Sequence, residues 1–415
     1  MYICIQIDYI MITQQTFSLV LEAQQIIFEH KQLGVQRDLL SNIPHASGFA
    51  SIITGMRRCG KSTLQLQMKN SYFLNEGLFF NFEDPRLAGM EIQDFERLYA
   101  EILNRKTKTL FFDEIQIVKG WEIFVNQLLR EEFSVVITGS NASLLSKELG
   151  THLTGRHFST ELFPFSYTEF LRYQKKEKSI QSFEHYLQKG GMPDYLRTGI
   201  DTYLNNLLDD ILIRDITVRF GVRDVTSLRQ LAVYLLSNIG TLVSANSLTG
   251  MFGIKSSTTF LDYFSYFKDT YLIEFLPKFD YSIKKQIRNP QKVYCLDLGI
   301  YHQNKIVFSP NNGRVLENAV YLHLRRLTKE IYYFHENGEC DFVVTKNGIP
   351  QDLYQVCYEL NNTNLERETN GLYEAMKKFN INNGYIITQN QTDLFKNENL
   401  TIKVIPAWQW MGNSE

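Results

Sequence analysis

The octapeptide Gly55-Met56-Arg57-Arg58-Cys59-Gly60-Lys61-Ser62 limits what this chain can fold into more than any other feature. It is a complete G-x-x-x-x-G-K-S pattern. It follows the apolar run Phe49 to Thr54 and leads into Thr63 to Asn70, a stretch free of Gly and Pro, so the context is strand, loop, helix. The glycines let main-chain N–H groups turn inward around an anion, and the helix that follows adds partial positive charge at its start. Gly55, Arg58, Cys59, Gly60, Lys61, Ser62 and Thr63 are therefore the expected contacts of a nucleoside triphosphate. Lys61 is expected to neutralise its β and γ phosphates, and Ser62 to be a ligand for Mg2+.

A second element fits the first. Lys108 to Glu114 is a buried-type strand ending in two carboxylates, with Asp113 placed to hold the metal and Glu114 to orient and polarise an attacking water. Ser134 to Thr138 is another apolar strand, and Gly139-Ser140-Asn141 ends it. Ser140 or Asn141 at that position either senses the γ-phosphate or caps a helix from Ala142 to Leu149. Arg156, in Leu153-Thr154-Gly155-Arg156, is a candidate arginine finger, set against the alternative of an ordinary surface arginine.

Between and beyond these motifs the chain alternates apolar runs with helical stretches. Phe49 to Thr54, Leu78 to Phe82, Thr109 to Phe112, Val135 to Thr138 and His157 to Leu162 are the strand candidates, which implies an α/β fold with a parallel sheet covered on both faces. An amphipathic helix from Thr16 to about Leu33 precedes them, with Phe17, Val20, Leu21, Ile27 and Phe28 as its apolar residues. At 415 residues, 44% hydrophobic and 21% charged, the chain is long enough for two to three cores. The divisions expected are a helical segment over 1–40, a nucleotide domain over 41–165, a helical lid or connector over 166–222, a winged-helix-like module over 223–280 and an α/β domain over 281–415.

A net charge of −2 gives no global field for nucleic acid, so any such contact has to be local. The five cysteines have no C-x-x-C spacing, which fits a reducing cytoplasm rather than a disulfide framework or zinc site. Met1 to Ile12 is apolar but broken by Asp8 and lacks a signal peptide's features, with Met11 as an alternative start. No run reaches the roughly 18 apolar residues of a membrane span.

The chain resembles the prokaryotic AAA-type ATPases that join an N-terminal P-loop domain to a C-terminal domain of unknown function. The likeness rests on Thr54 to Ser62, Asn81-Phe82-Glu83-Asp84, Phe112-Asp113-Glu114-Ile115-Gln116, Thr138 to Asn141, Leu153 to Arg156 and Gly190-Gly191-Met192-Pro193. It implies ATP as the nucleotide and a P-loop NTPase parallel sheet with the sensor strand between the two Walker strands. It also implies a helical lid begun by Gly190 to Pro193, a winged-helix-like module and a C-terminal α/β endonuclease-like domain.

In the winged-helix candidate, Lys255 to Phe267 is the recognition-type helix, poor in Arg and Lys. Lys284, Lys285, Arg288 and Lys292 form a nearby basic cluster that either contacts phosphates or is a solvated face. The last domain resembles restriction endonucleases, with Glu317 on a helix, Asp341 on a strand and a second strand Leu353 to Tyr358. Where an active member has a carboxylate and a lysine, this chain has Gln355 and Cys357, so a binding role is expected over cleavage, with Glu359 as a substitute ligand. The leading expectation is an Mg2+-dependent ATPase whose nucleotide state controls a DNA or protein partner. A slow nucleotide switch and an ATP-driven nuclease are the alternatives, and the oligomeric state stays open.

Overall fold

The computed structural model describes residues 12–141, 155–306 and 311–413. The helix expected over Ala142 to Leu149 and nearly all of the apolar start lie outside them. The chain forms two units, Met1–Leu162 and Phe163–Glu415.

In the first unit, β1 (Ala50–Thr54), β2 (Leu78–Asn81), β3 (Thr109–Asp113), β4 (Ser134–Gly139) and β5 (His157–Glu161) form one parallel sheet in the order β2-β3-β4-β1-β5. Every residue of β1 is buried, as a strand covered on both faces requires. Helices α1 (Gln14–His30), α2 (Lys61–Tyr72), α3 (Phe95–Asn104) and α4 (Trp121–Arg130) belong to this unit. As the resemblance implied, β4 lies between β1, which feeds the phosphate loop, and β3, which carries the two carboxylates.

Helix α1 buries Phe17, Val20, Leu21, Gln24 and Phe28, whereas Ile27, expected on the apolar face, is 68% exposed. Gln24 takes its place for a reason. Its amide accepts from Asn81 N at 2.8 Å and donates to Asn81 O at 3.0 Å, and Gln25 accepts from Phe79 N at 3.1 Å. The two glutamines thus satisfy main-chain groups of β2, an edge strand of this sheet.

The second unit begins with helices Tyr167–Gln174, Ile180–Lys189, Pro193–Thr198 and Thr202–Asp210, the last continuing as π-helical turns over Ile211–Val218. Gly190 to Pro193 starts a helix with Pro at an early position, and its contacts in this unit are structural. Gly191 N donates to Asp297 Oδ2 at 2.7 Å, and a Cβ on Gly191 would stand 2.3 Å from Phe165 O, so no larger residue fits.

Helices Val225–Ser237, Ala245–Leu248 and Ser257–Asp269 accompany a small sheet of β6 (Leu242–Val243), β7 (Ile273–Leu276) and β8 (Gln291–Cys295), in the order β6-β8-β7. The boundary expected at 280 therefore runs through a sheet, because β8 pairs with both earlier strands. The helix Asn312–Leu327 leads to a six-stranded sheet of β9 (Ile331–His335), β10 (Glu339–Lys346), β11 (Ile349–Cys357), β12 (Asn383–Thr388), β13 (Asp393–Asn397) and β14 (Leu400–Pro406). Its order is β13-β14-β12-β11-β10-β9, and helix Leu365–Phe379 connects β11 to β12. No helix among the described residues is long and apolar enough to cross a membrane.

Candidate nucleotide site

Parallel strands bring their carboxyl ends to one edge, and the register decides which residues meet there. Thr54 pairs with Gly139, and Asp113 pairs with Thr138. The phosphate loop, Asp113, Glu114, Ser140 and Asn141 consequently gather at that edge, where ligands of open α/β sheets bind.

The loop turns on backbone that its sequence allows. A Cβ on Gly55 would stand 2.1 Å from Leu162 O, and Gly60 has φ 105°, so neither position tolerates a side chain. Cys59 is fully buried, which pushes its thiol up, and its Sγ lies 3.4 Å from Leu162 O. Its role is packing beneath the loop. Arg58 is exposed, while Ser62 and Thr63 are half-buried in the first turn of α2.

The charged groups are buried beside this turn. Lys61 Nζ donates to Gly55 O at 3.1 Å and Met56 O at 3.0 Å, with Glu114 Oε1 4.0 Å away. Ser62 Oγ donates to Asp113 Oδ2 at 2.7 Å, and Thr138 Oγ1 donates to Asp113 Oδ1. Glu114 Oε2 accepts from Gln116 Nε2, from Ser140 N at 3.3 Å and from Ser140 Oγ at 3.4 Å. Burial pushes the Glu114 carboxyl up to about 6, with Lys61 opposing the rise. Glu114 also sits at φ 56°, in the left-handed region where a non-glycine residue costs roughly 1–2 kcal/mol, the kind of strain that collects at functional sites. Asn141 is fully buried just after β4.

The structure thus brings together Lys61, Ser62, Asp113 and Glu114, with Gly55, Gly60 and Thr63 around them and Asn141 at the same sheet edge. It does not bring Arg156 there. Ala50 N donates to Arg156 O at 3.0 Å and Ala50 pairs with His157, so Arg156 lies at the amino end of β1, about 16 Å of strand from the loop. Its side chain is exposed, and as a finger acting within its own chain it is misplaced.

Three participants escaped the sequence reading. Thr138 holds Asp113, Gln116 holds Glu114, and buried Arg37 donates to Cys59 O at 2.9 Å from before the first strand. Pairing β4 with β3 sets Thr138 opposite Asp113, and Gln116 closes the Phe112 to Gln116 motif, whereas no sequence pattern points to Arg37.

With this geometry in view, the relatives can be placed. A family model described as an AAA domain matches residues 48–171, and one described as a domain of unknown function, DUF8612, matches 180–309. Uncharacterized protein MJ1544 of Methanocaldococcus jannaschii is 34% identical over 392 residues, which is 86% of this chain and 87% of that protein. The chain belongs to the family of MJ1544. Another member-like relative, an uncharacterized protein of Haemophilus influenzae, is 31% identical over 336 residues, 75% of this chain and 83% of that protein. Among solved structures, replication initiator DnaA bound to AMPPCP and single-stranded DNA is similar over 55% of this chain and 83% of that chain, at 15% identity and a TM-score of 0.26. So slight an overlap transfers nothing about ligands. The AAA match spans the loop and both carboxylates, which makes the first unit of this MJ1544 relative an AAA-type P-loop domain.

Proposed function

We propose that the chain binds ATP with Mg2+ and hydrolyses it, and that the second unit passes the nucleotide state to a partner. The observation that carries the reading is the 2.7 Å bond between Ser62 Oγ and Asp113 Oδ2, with Lys61 and Glu114 buried alongside. An all-oxygen pair with an anionic member, at the start of a helix, fits a hard divalent cation. Ser62 and Asp113 would hold the cation, which would supply positive charge against the negative charge that develops on the phosphates.

Each residue then has one task. Main-chain N–H groups of Gly55 to Ser62 turn around the phosphates. Lys61 exchanges two neutral carbonyl partners for phosphate oxygens, which attract an ammonium more strongly. Glu114 orients a water and draws off its proton, and a carboxyl pushed only to about 6 is mostly ionised at neutral pH. Asn141 contacts the γ-phosphate, and Ser140 steadies Glu114.

In the second unit, the order helix, β6, helix, helix, β7, β8 supports a winged-helix-like module. The exposed face of its Ser257–Asp269 helix carries Thr258, Leu261, Asp262, Ser265 and Lys268, a poor match for phosphates. Exposed Lys284, Lys285 and Arg288 remain for nucleic acid, while Lys292 leaves that cluster because it is buried. This balance favours a protein partner over DNA. The cysteine pattern, without C-x-x-C spacing, favours a cytoplasmic setting.

A slow nucleotide switch is the second reading, favoured by the way Gln116 and Ser140 occupy the Glu114 carboxylate. Steady-state phosphate release, with and without DNA, separates the readings. An ATPase shows Mg2+-dependent release that Glu114→Gln lowers at least about a hundredfold. A switch shows ATP binding with no release above that of Glu114→Gln, and DNA as the partner raises release severalfold with steep salt dependence.

A further inference from the structure

In the second unit three carboxylates converge on one ammonium. Lys292 Nζ, on β8, lies 2.7 Å from Asp341 Oδ1 and 2.7 Å from Glu339 Oε1, both on β10, and 3.1 Å from Glu317 Oε1 on the helix Asn312–Leu327. The Lys292 side chain is 4% exposed and that of Asp341 7%, while Glu339 reaches the surface at 44%. Tyr294 OH also donates to Glu317 Oε1, at 2.6 Å.

The rest of the pocket is equally committed. Asp341 Oδ2 accepts from Val356 N at 2.9 Å. Gln355, at the position where an active nuclease has its second carboxylate, accepts from Asp341 N at 3.1 Å and donates to Glu368 Oε2 at 2.7 Å. Its amide is therefore occupied away from the ammonium. The cation beside Glu317 and Asp341 comes instead from a different strand in a different sheet.

We propose that the Lys292 ammonium is the resident cation of this pocket, standing where a divalent ion would otherwise sit between Glu317 and Asp341, and that it locks the small sheet to the six-stranded one. The ammonium donates to Asp341 Oδ1 at 2.7 Å and to Glu317 Oε1 at 3.1 Å, and Glu339 Oε1 pairs with it as a third anion at 2.7 Å. Carboxylates buried without a cation are costly, so the pocket needs one, and the chain supplies its own. The lock has further fastenings between the same helix and the same small sheet. Arg325 and Glu274, both buried, meet at 3.2 Å, and the Asn318 side chain bonds both N and O of Cys295 at 2.9 Å. These contacts give the carboxylate cluster a mechanical task in place of a hydrolytic one, and the inference does not depend on the ATPase reading.

Mn2+ binding to the full-length, nucleotide-free protein, read by electron paramagnetic resonance after stripping with EDTA, tests it. Wild type and Asp341→Asn should bind the same amount of Mn2+. Lys292→Ala should gain one bound Mn2+ per chain and a Tm that rises with added Mn2+, and both gains should vanish in Lys292→Ala/Asp341→Asn. Mn2+ bound by wild type and lost in Asp341→Asn overturns the proposal, as does a folded Lys292→Ala that gains no ion. If circular dichroism shows Lys292→Ala unfolded, the comparison of wild type with Asp341→Asn decides by itself, equal binding supporting the resident ammonium and a loss overturning it.

Discussion

Each unit of this chain buries a lysine beside carboxylates, and the two lysines are held in opposite ways. Lys61 donates to two neutral carbonyls of its own loop and keeps Glu114 at 4.0 Å, whereas Lys292 is gripped by three carboxylates at 2.7–3.1 Å. An ammonium on neutral acceptors gains by turning to an anionic ligand. One already surrounded by anions has nothing to gain. The comparison teaches that a lysine near acidic residues does not by itself mark a reactive site; what matters is whether its present partners are weaker than the ligand's atoms would be.

The largest effect that could break this contrast is expected at Lys61. Lys61→Ala should abolish ATP binding and lower phosphate release at least about a thousandfold, measured by binding calorimetry and a coupled assay. Retained binding would place the site elsewhere. Glu114→Gln should be narrower, with ATP bound as in wild type and release reduced about a hundredfold to a thousandfold, because only the group that handles the water has changed.

Stability should show the reverse ranking. Lys292→Met should destabilise the second unit by about 3–5 kcal/mol in denaturant unfolding, since it strands three carboxylates, two of them largely buried. Lys61→Met should stay within about 1 kcal/mol, because its hydrogen-bond partners are neutral. Equal losses would erase the distinction between the two lysines.

A smaller effect concerns acid. His323 lies 4.5 Å from the Trp410 ring, and burial pushes its imidazole down to about 4. In the folded chain it stays neutral while an unfolded imidazole takes a proton near pH 6.5. Its contribution to stability is thus complete above pH 6.5 and lost as pH falls towards 4. His323→Phe should show a shallower fall in Tm over that window than wild type. The smallest change is expected at Arg156, where Arg156→Ala should leave turnover within about twofold, given its place across the sheet from the loop. A loss that grows with protein concentration would instead assign the residue to a neighbouring copy's site.

Much of the first unit was legible in the sequence because its strands are short apolar runs that end at small or polar motif residues. Thr54 ends β1 before the loop, Asp113 ends β3 and Gly139 ends β4. Ile27 lost its expected buried place and Gln24 is buried instead, because satisfying an edge strand's main chain outweighed helix periodicity. Arg156 lies away from the loop of its own chain, because nearness in sequence to β5 says nothing about which end of the sheet a residue occupies.

The second centre was harder to read. Lys292 follows Lys284, Lys285 and Arg288, which makes it look like one more member of a solvated cluster. Its partners Glu317 and Asp341 are 25 and 49 residues away, and β8 is buried almost throughout, so no alternation announces which way the lysine turns. Glu317, Asp341 and Gln355 stand out in the sequence only through the likeness to restriction endonucleases, and the Lys292 contact that joins Glu317 to Asp341 is long-range, so no local pattern encodes it.

Calorimetric titration of the full chain with ATP and Mg2+, run beside Asp113→Asn and Lys61→Ala, goes straight to the matter. The expected result is one ATP per chain in wild type, weakened by Mg2+ removal or Asp113→Asn and absent in Lys61→Ala. Binding that is indifferent to all three changes would contradict a triphosphate site at the carboxyl edge of β1, β3 and β4.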